Sequence, residues 1–129
     1  MIHLDTSFLI RALLSGSPED AALRGWLRQG LPVGASAVVW TELLCGPLTK
    51  RQADLALLVV GEPVPFGRED AVLAASLFDL AGRRRGSLVD CMVAAAAIRA
   101  DAALATANET DFSRLLPHGL RLAGLGVRS

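Results

Sequence analysis

Long hydrophobic runs are missing from this chain. Its apolar runs are short, such as residues 93–98, whereas a helix that crosses a bilayer needs about 20 apolar residues. The N-terminus also lacks the basic leader and cleavage site of a secretory signal peptide. We therefore expect a cytoplasmic protein with no membrane-spanning segment.

The chain also has few cysteines and lysines, and no excess of basic charge. Cys45 and Cys91 are the two cysteines, and neither has a histidine or cysteine at the spacing of a zinc site. We expect both to be reduced residues of the core. The 13 basic residues, of which only Lys50 is a lysine, balance 13 acidic ones. Composition alone therefore argues slightly against a nucleic-acid binder, which often has a basic excess.

Several enzyme signatures of α/β proteins are absent. The chain has neither the Gly-x-x-x-x-Gly-Lys of a P-loop nor the Gly-x-Gly-x-x-Gly of a dinucleotide-binding fold. A phosphatase of the haloacid dehalogenase type needs Asp-x-Asp after its first strand, but position 7 is serine. These absences exclude the most common nucleotide-binding and phosphatase interpretations.

The elements that are present alternate between strands and helices. Hydrophobic residues make up 52% of the 129 residues, enough for one domain over residues 1–129. Alternation predicts an α/β fold with a central parallel sheet of about four to five strands and helices on both faces. The predicted strands are residues 2–5, 33–36, 62–66, 102–106 and 120–124. Turn and cap residues, among them Ser17, Ser36, Ser87 and Asn108, predict helices over residues 6–14, 17–29, 36–45, 49–59, 68–84, 87–100 and 108–116.

Four acids lie where such a fold brings ligands together. Asp5 ends the first strand and Asp111 follows the fourth, while Glu42 and Asp90 lie on helices that can reach the same sheet edge. Each acid also has a plainer explanation. Asp5, Asp90 and Asp111 lie at helix starts, where acids act as caps or favour the helix dipole. Glu42, in an apolar helix, can reach water or pair with an arginine.

The four acids together predict a cation site. Several carboxylates in one crevice repel each other, and a divalent cation removes that cost. Oxygen-only ligands favour Mg²⁺ or Mn²⁺ over zinc. Hydroxyl and amide groups flank the acids and can orient them; these are Thr6, Ser7, Thr106 and Asn108.

Four segments that carry these acids resemble one known family. In order, "DTSFLI", "TELLCG", "GSLVDCMVAAAA" and "LATANETDF" resemble the PIN-domain nucleases, and the short single-domain chain resembles VapC-type toxins of toxin–antitoxin pairs. The resemblance covers nearly the whole chain. It implies a three-layer α/β sandwich and an Mg²⁺- or Mn²⁺-dependent endoribonuclease. It also implies an antitoxin partner and a homodimer.

The resemblance also implies roles for individual residues. The acidic quartet matches Asp5, Glu42, Asp90 and Asp111. Asp5 and Asp90 would hold the metal ion. Thr6, or Ser7 beside it, matches the hydroxyl next to the first acid, and the polar residues before the last acid match Thr106 and Asn108.

Two further hypotheses concern the surface. Arginines at the rim would attract RNA, with Arg11 and residues 83–85 as candidates. Apolar residues that a small domain does not fully bury would bind the antitoxin, with Leu13, Leu14, Trp40, Leu43 and Leu44 as candidates. The alternative to an enzyme is a catalytically silent PIN-like module that binds RNA or protein and uses the acids as a structural metal site.

Overall fold

The computed structural model describes residues 1–46 and 48–124. Three parallel strands form the sheet in the order β2-β1-β3: β1 (Ile2–Leu4), β2 (Val33–Gly34) and β3 (Ala103–Ala105). The α-helices are α1 (Thr6–Ala12), α2 (Pro18–Arg28), α3 (Ala37–Cys45), α4 (Lys50–Val60), α5 (Arg68–Leu80), α6 (Leu88–Arg99) and α7 (Glu109–Phe112), and a 3₁₀ helix, Ser113–His118, follows α7. This is the predicted α/β class, a parallel sheet flanked by helices. Within the described part of the chain, no helix has both the length and the apolar character needed to cross a membrane.

The two outer predicted strands contribute one bridge each. Ser36 pairs in parallel with Val64 at one edge of the sheet, and Leu104 pairs in parallel with Leu122 at the other. Pro63 and Pro65 flank Val64 and have no N–H to donate, so the ladder stops after one residue. The sheet therefore has three regular strands and two edge segments in place of four to five full strands.

The central strand is buried on both faces, as expected for a parallel sheet between helices. Ile2 and Leu4 alternate with His3 along β1, and all three side chains are buried. The run of alanines in α6, residues 94–97, is also buried, and α6 packs mainly against α5. Small side chains allow this close approach of two helices.

Four predicted cap residues lie at helix starts, and two of them lack the capping hydrogen bond. Ser17 and Ser36 cap α2 and α3, as predicted, by accepting backbone N–H groups. Ser87 and Asn108 are the N-cap residues of α6 and α7, as predicted, but neither side chain accepts a capping hydrogen bond. The Ser87 hydroxyl donates instead to the carbonyl of Arg84, 2.7 Å away.

Helix α5 is one turn shorter than predicted, because it ends at Leu80 and not at residue 84. Gly82 and Arg83 have positive φ angles of 92° and 53°, and the Arg83 N–H donates to the carbonyl of Phe78 at 2.8 Å. This left-handed ending is typical of helix C-termini. The run of three arginines therefore lies in the loop after the helix.

Cys91 is buried as expected, whereas Cys45 is exposed at the end of α3, so its assignment to the core was wrong.

The aromatic pair of α1 and α2 gives a prediction about stability. Phe8 is fully buried and stacks on Trp26, with ring centroids 5.5 Å apart. We expect Phe8→Ala to lower the free energy of unfolding by about 3–5 kcal/mol, through lost burial and the cavity it leaves. Urea denaturation measures this change. Leu14→Ala, at a side chain that is 58% exposed, is the control and should change it by less than about 0.5 kcal/mol. Equal effects of the two changes would contradict the stacked core.

Candidate metal-binding site

Asp5 lies at the carboxyl end of β1 and begins α1. Its Oδ1 accepts hydrogen bonds from the Phe8 N–H and the Ser7 hydroxyl, both at 2.8 Å. The side chain is buried, with 5% of its residue surface exposed. Burial raises the pKa of Asp5, while hydrogen bonds from Thr106, Phe8 and Ser7 favour the charged form. Asp5 is therefore a helix cap and also an acid held beside other acids.

A network of hydroxyl groups joins the carboxyl ends of β1 and β3. The Ser7 hydroxyl lies 3.3 Å from that of Thr106 and accepts the Ala107 N–H at 3.1 Å. The Asn108 N–H donates to the Thr106 hydroxyl at 3.0 Å. Asn108 thus acts through its backbone, and over the described ranges its side chain makes no hydrogen bond. Ser7, which the sequence offered as a residue sharing the role of Thr6, donates to Asp5, whereas the Thr6 hydroxyl donates elsewhere.

Thr6, next to Asp5 in the chain, contacts the second acid of the quartet, Glu42. Its hydroxyl donates to Glu42 Oε1 at 2.7 Å, which links α1 to α3 across 36 residues of sequence. Glu42 is exposed, so its carboxylate stays in contact with water although the helix around it is apolar. The hydrogen bond from Thr6 holds it in this position. Thr6 therefore orients Glu42, and Ser7 orients Asp5.

The pKa of Asp90 reflects the charges of the other three acids. Its pKa is raised to about 6, first by burial and then by the charges of Asp111, Glu42 and Asp5. Arg84 opposes this shift. The structure therefore brings Asp5, Glu42 and Asp111 within electrostatic reach of Asp90.

A cleft beside the acids contains two arginines, Arg84 and Arg114. We call it the acid cleft, and its lining residues are Ala81, Arg84, Ser87, Asp90, Cys91, Asp111, Arg114 and Leu115. Of the arginines predicted at the rim, Arg84 is in the cleft. Arg11 instead pairs with the buried Glu19 at 3.3 Å, and Arg83 pairs with Asp79 and lies over the Phe78 ring.

Arg114 was missed by sequence reasoning. It follows Asp111 by three residues, and this spacing puts two side chains on the same face of a helix. That spacing was the signal in the sequence that could have identified it.

The donor set of the four acids suits Mg²⁺ or Mn²⁺. Carboxylate oxygens are the ligands that these ions prefer, and a cation would offset the repulsion that Asp111, Glu42 and Asp5 exert on Asp90. Across residues 1–46 and 48–124, no three acidic, histidine or cysteine side chains converge closely enough to hold one ion as they stand. Asp111 is exposed, so rotation of its side chain toward an ion is inexpensive.

Comparison with known proteins gives one family match and several similar folds. The PIN domain family model matches residues 2–115. Comparison with curated protein sequences finds no match. The fold is similar to the crystal structure of VapBC2 from Rickettsia felis bound to a promoter DNA fragment, with 23% identity, TM-score 0.77, and 95% and 98% of the two chains covered.

Two other solved structures share the fold. FitAcB from Neisseria gonorrhoeae is 20% identical with a TM-score of 0.72, over 97% of this chain and 98% of that chain. A toxin–antitoxin complex from Klebsiella pneumoniae is 24% identical with a TM-score of 0.68, over 88% and 91%. The family match extends from β1 to the 3₁₀ helix and includes all four acids. The chain belongs to the PIN domain family.

Proposed function

We propose that this chain is a metal-dependent endoribonuclease and the toxin of a cytoplasmic VapC-type toxin–antitoxin pair. The observation that carries the proposal is the placement of Asp90 and Asp111 in one cleft, where the charges of Asp111, Glu42 and Asp5 act on Asp90. The similarity in fold to solved VapBC and toxin–antitoxin complexes supports the choice of a toxin within the family.

The acids and hydroxyl groups have separate tasks in this proposal. Asp5 and Asp90 would hold Mg²⁺ or Mn²⁺, and Glu42 and Asp111 would complete the ligand set. When bound, the ion supplies a Lewis acid for the scissile phosphate and lowers the pKa of a water molecule. Ser7 fixes the Asp5 carboxylate, and Thr6 directs Glu42. These two hydrogen bonds limit how far the ligands can turn, which preorganises the site.

Cleavage of a cellular RNA pool tests the proposal. The chain, purified free of any partner, is incubated with RNA in Mg²⁺, in Mn²⁺ and in EDTA. We expect discrete cuts with either metal and none in EDTA. Asp111→Asn should lose the cuts, whereas Glu109→Gln, its neighbour on α7, should keep them, because Glu109 does not line the acid cleft. No cuts from the folded chain in either metal would support the alternative, a silent binding module.

Helix α4 is the best candidate for the antitoxin surface. Leu58, on its outer side, is 82% exposed. A groove of about 350 Å³ on one side of α4 is lined by residues of α1, α2 and α4, including Leu13, Leu27 and Leu55. A groove of about 330 Å³ on the other side involves Trp40, Leu43 and Leu44 of α3. We propose that an antitoxin segment covers α4 and both grooves, including residues named from the sequence.

A negative charge introduced on the outer side of α4 should weaken the complex between this chain and its antitoxin. We expect Leu58→Glu to weaken antitoxin binding at least about tenfold, because a buried carboxylate would face apolar side chains. The unbound chain should keep its RNA cleavage. Co-expression with its antitoxin, followed by gel filtration, measures binding. Arg28→Gln at the end of α2 is the matched surface control. Retention of the complex by Leu58→Glu would exclude this surface.

Pairing of two copies is the remaining part of the proposal. The outer side of α5 carries Val72 and Leu80, which are 66% and 60% exposed, with the small Ser76 between them. Two copies packed through this helix would bury that apolar surface. Light scattering should then give twice the chain mass of 13.6 kDa. A monomer at micromolar concentration would remove the dimer from the proposal without affecting the active site.

A further inference from the structure

Two arginines of the acid cleft are exposed and not engaged by its acids. Arg84 and Arg114 line the cleft together with Asp90 and Asp111. In the ranges that the structure describes, neither guanidinium forms an ion pair within 4.0 Å of a carboxylate. Arg11 and Arg83 differ, because each is paired with an acid of its own. Two fixed cations beside the acids therefore keep their hydrogen-bond donors for a ligand.

The backbone of Arg84 is anchored to the start of α6. Ser87 donates to the Arg84 carbonyl twice, from its N–H at 3.1 Å and from its hydroxyl at 2.7 Å. The positive φ angles of Gly82 and Arg83 turn the chain out of α5 just before this point. The serine that the sequence suggested as a helix cap thus fixes the loop that carries Arg84.

Arg114 is held in place from the other side of the cleft. Its neighbours Phe112 and Leu115 are buried in the core, which fixes the start of the 3₁₀ helix. The Ser113 hydroxyl also donates to the Thr110 carbonyl at 2.8 Å. Two separate elements, the α5–α6 loop and the segment after α7, therefore present one guanidinium each to the same cleft.

The ligand that fits two guanidinium groups beside a carboxylate cluster is a phosphodiester. Four acids repel an RNA backbone, and a chain with no net charge offers no general attraction to overcome this. A guanidinium binds phosphate oxygens through two parallel N–H bonds. We propose that Arg84 and Arg114 bind an RNA phosphate next to the one that is cleaved, and that Ser87 positions Arg84. This inference rests on the proposed function for the identity of its ligand.

RNA binding without metal tests the arginines. The probe is a fluorescein-labelled single-stranded RNA of 12 random nucleotides, and its anisotropy is followed in EDTA from about 20 to 150 mM salt. We expect Arg84→Gln and Arg114→Gln each to weaken binding about five- to tenfold, and to lower the slope of log K against log salt by about 0.7. Arg28→Gln, an exposed arginine at the end of α2, should change neither value.

Three further changes test how Arg84 binds and how it is positioned. Arg84→Lys keeps the positive charge but loses the two parallel N–H donors of the guanidinium. It should therefore keep the salt slope of the unsubstituted chain and bind RNA with an affinity between that chain and Arg84→Gln. Ser87→Ala should weaken binding about two- to threefold without changing Tm, because Ser87 makes no side-chain cap to α6. Ser87→Thr should restore the affinity, since it keeps the hydroxyl.

The outcomes separate this inference from the nuclease proposal. Unchanged affinity and salt slope in both glutamine variants would overturn the phosphate site, even if the chain cuts RNA. If both glutamine variants bind RNA more weakly and with a lower salt slope, but the unsubstituted chain never cuts RNA, the phosphate site is supported and the nuclease proposal is refuted. A fall in Tm in Ser87→Ala, with no rescue by threonine, would overturn the positioning role of Ser87.

Discussion

Replacing Asp90 with asparagine should abolish cleavage and at the same time stabilise the metal-free protein. We expect RNA cleavage in Mg²⁺ to fall by about 10³-fold or more, because the variant loses a charged ligand that no other side chain replaces. The stabilisation arises because the charged Asp90 is partly buried at neutral pH and is also repelled by the other three acids. An acid kept for folding would show the reverse, a loss of stability.

The sign of the stability change follows from the pKa of Asp90. In the folded chain this pKa is raised from 3.8 to about 6, so between these values the folded state binds more protons than the unfolded state. The charge on Asp90 therefore costs nothing below about pH 4, and its cost grows up to about pH 6 and stays constant above it. A shift of this size corresponds to about 3 kcal/mol, which solvent screening in a half-exposed site lowers to about 1–2 kcal/mol.

Thermal denaturation at two pH values measures this cost. At pH 7.5, Asp90→Asn should melt several degrees above the unsubstituted chain, by about 3–8 °C. At pH 4 the two should melt together, because Asp90 is then largely protonated. Mg²⁺ should raise the Tm of the unsubstituted chain at pH 7.5 and leave Asp90→Asn nearly unchanged. A lower Tm for Asp90→Asn at pH 7.5 would contradict the electrostatic account of the site.

Much of this site could be predicted from the sequence, because its framework depends on local pattern. A short apolar strand that ends in an acid, followed by a helix, places Asp5 at the carboxyl edge of a parallel sheet. Asp111 reaches the same edge because it also follows a strand. The alternation of strands and helices leaves few other topologies. Glu42 and Asp90 needed the family resemblance, since a helix position alone does not show which edge it reaches.

The contacts around the acids could not be predicted, because they depend on tertiary packing. Thr6 and Ser7 are adjacent in one helix and point in directions about 100° apart. Which of them touches Asp5 depends on where β3 and the following Thr106 lie. The end of α5 was obscured by arginines that suit a helix C-terminus, although Gly82 was the residue that marked the turn. Ser87 looked like a cap by composition, but its hydroxyl donates to a carbonyl of the preceding loop.

Substitutions at Asp5 should separate its structural role from its chemical role. A helix cap needs only an oxygen acceptor, whereas a metal ligand of this kind needs the negative charge. Asp5→Asn keeps an acceptor for the Phe8 N–H and the Ser7 hydroxyl. It should therefore lose about 10³-fold in metal-dependent RNA cleavage while its free energy of unfolding changes by about 1 kcal/mol or less.

Asp5→Ala removes the acceptor together with the charge. The Phe8 N–H, a buried donor, and the Ser7 hydroxyl then lose their partner, and we expect a loss of about 2–4 kcal/mol of stability in urea denaturation. Cleavage should be as low as in Asp5→Asn. Ser17→Ala, which removes the cap of α2, should cost about 1 kcal/mol and leave cleavage unchanged. If Asp5→Asn kept full activity, Asp5 would be a cap alone, and the site would have to hold its metal through the other three acids.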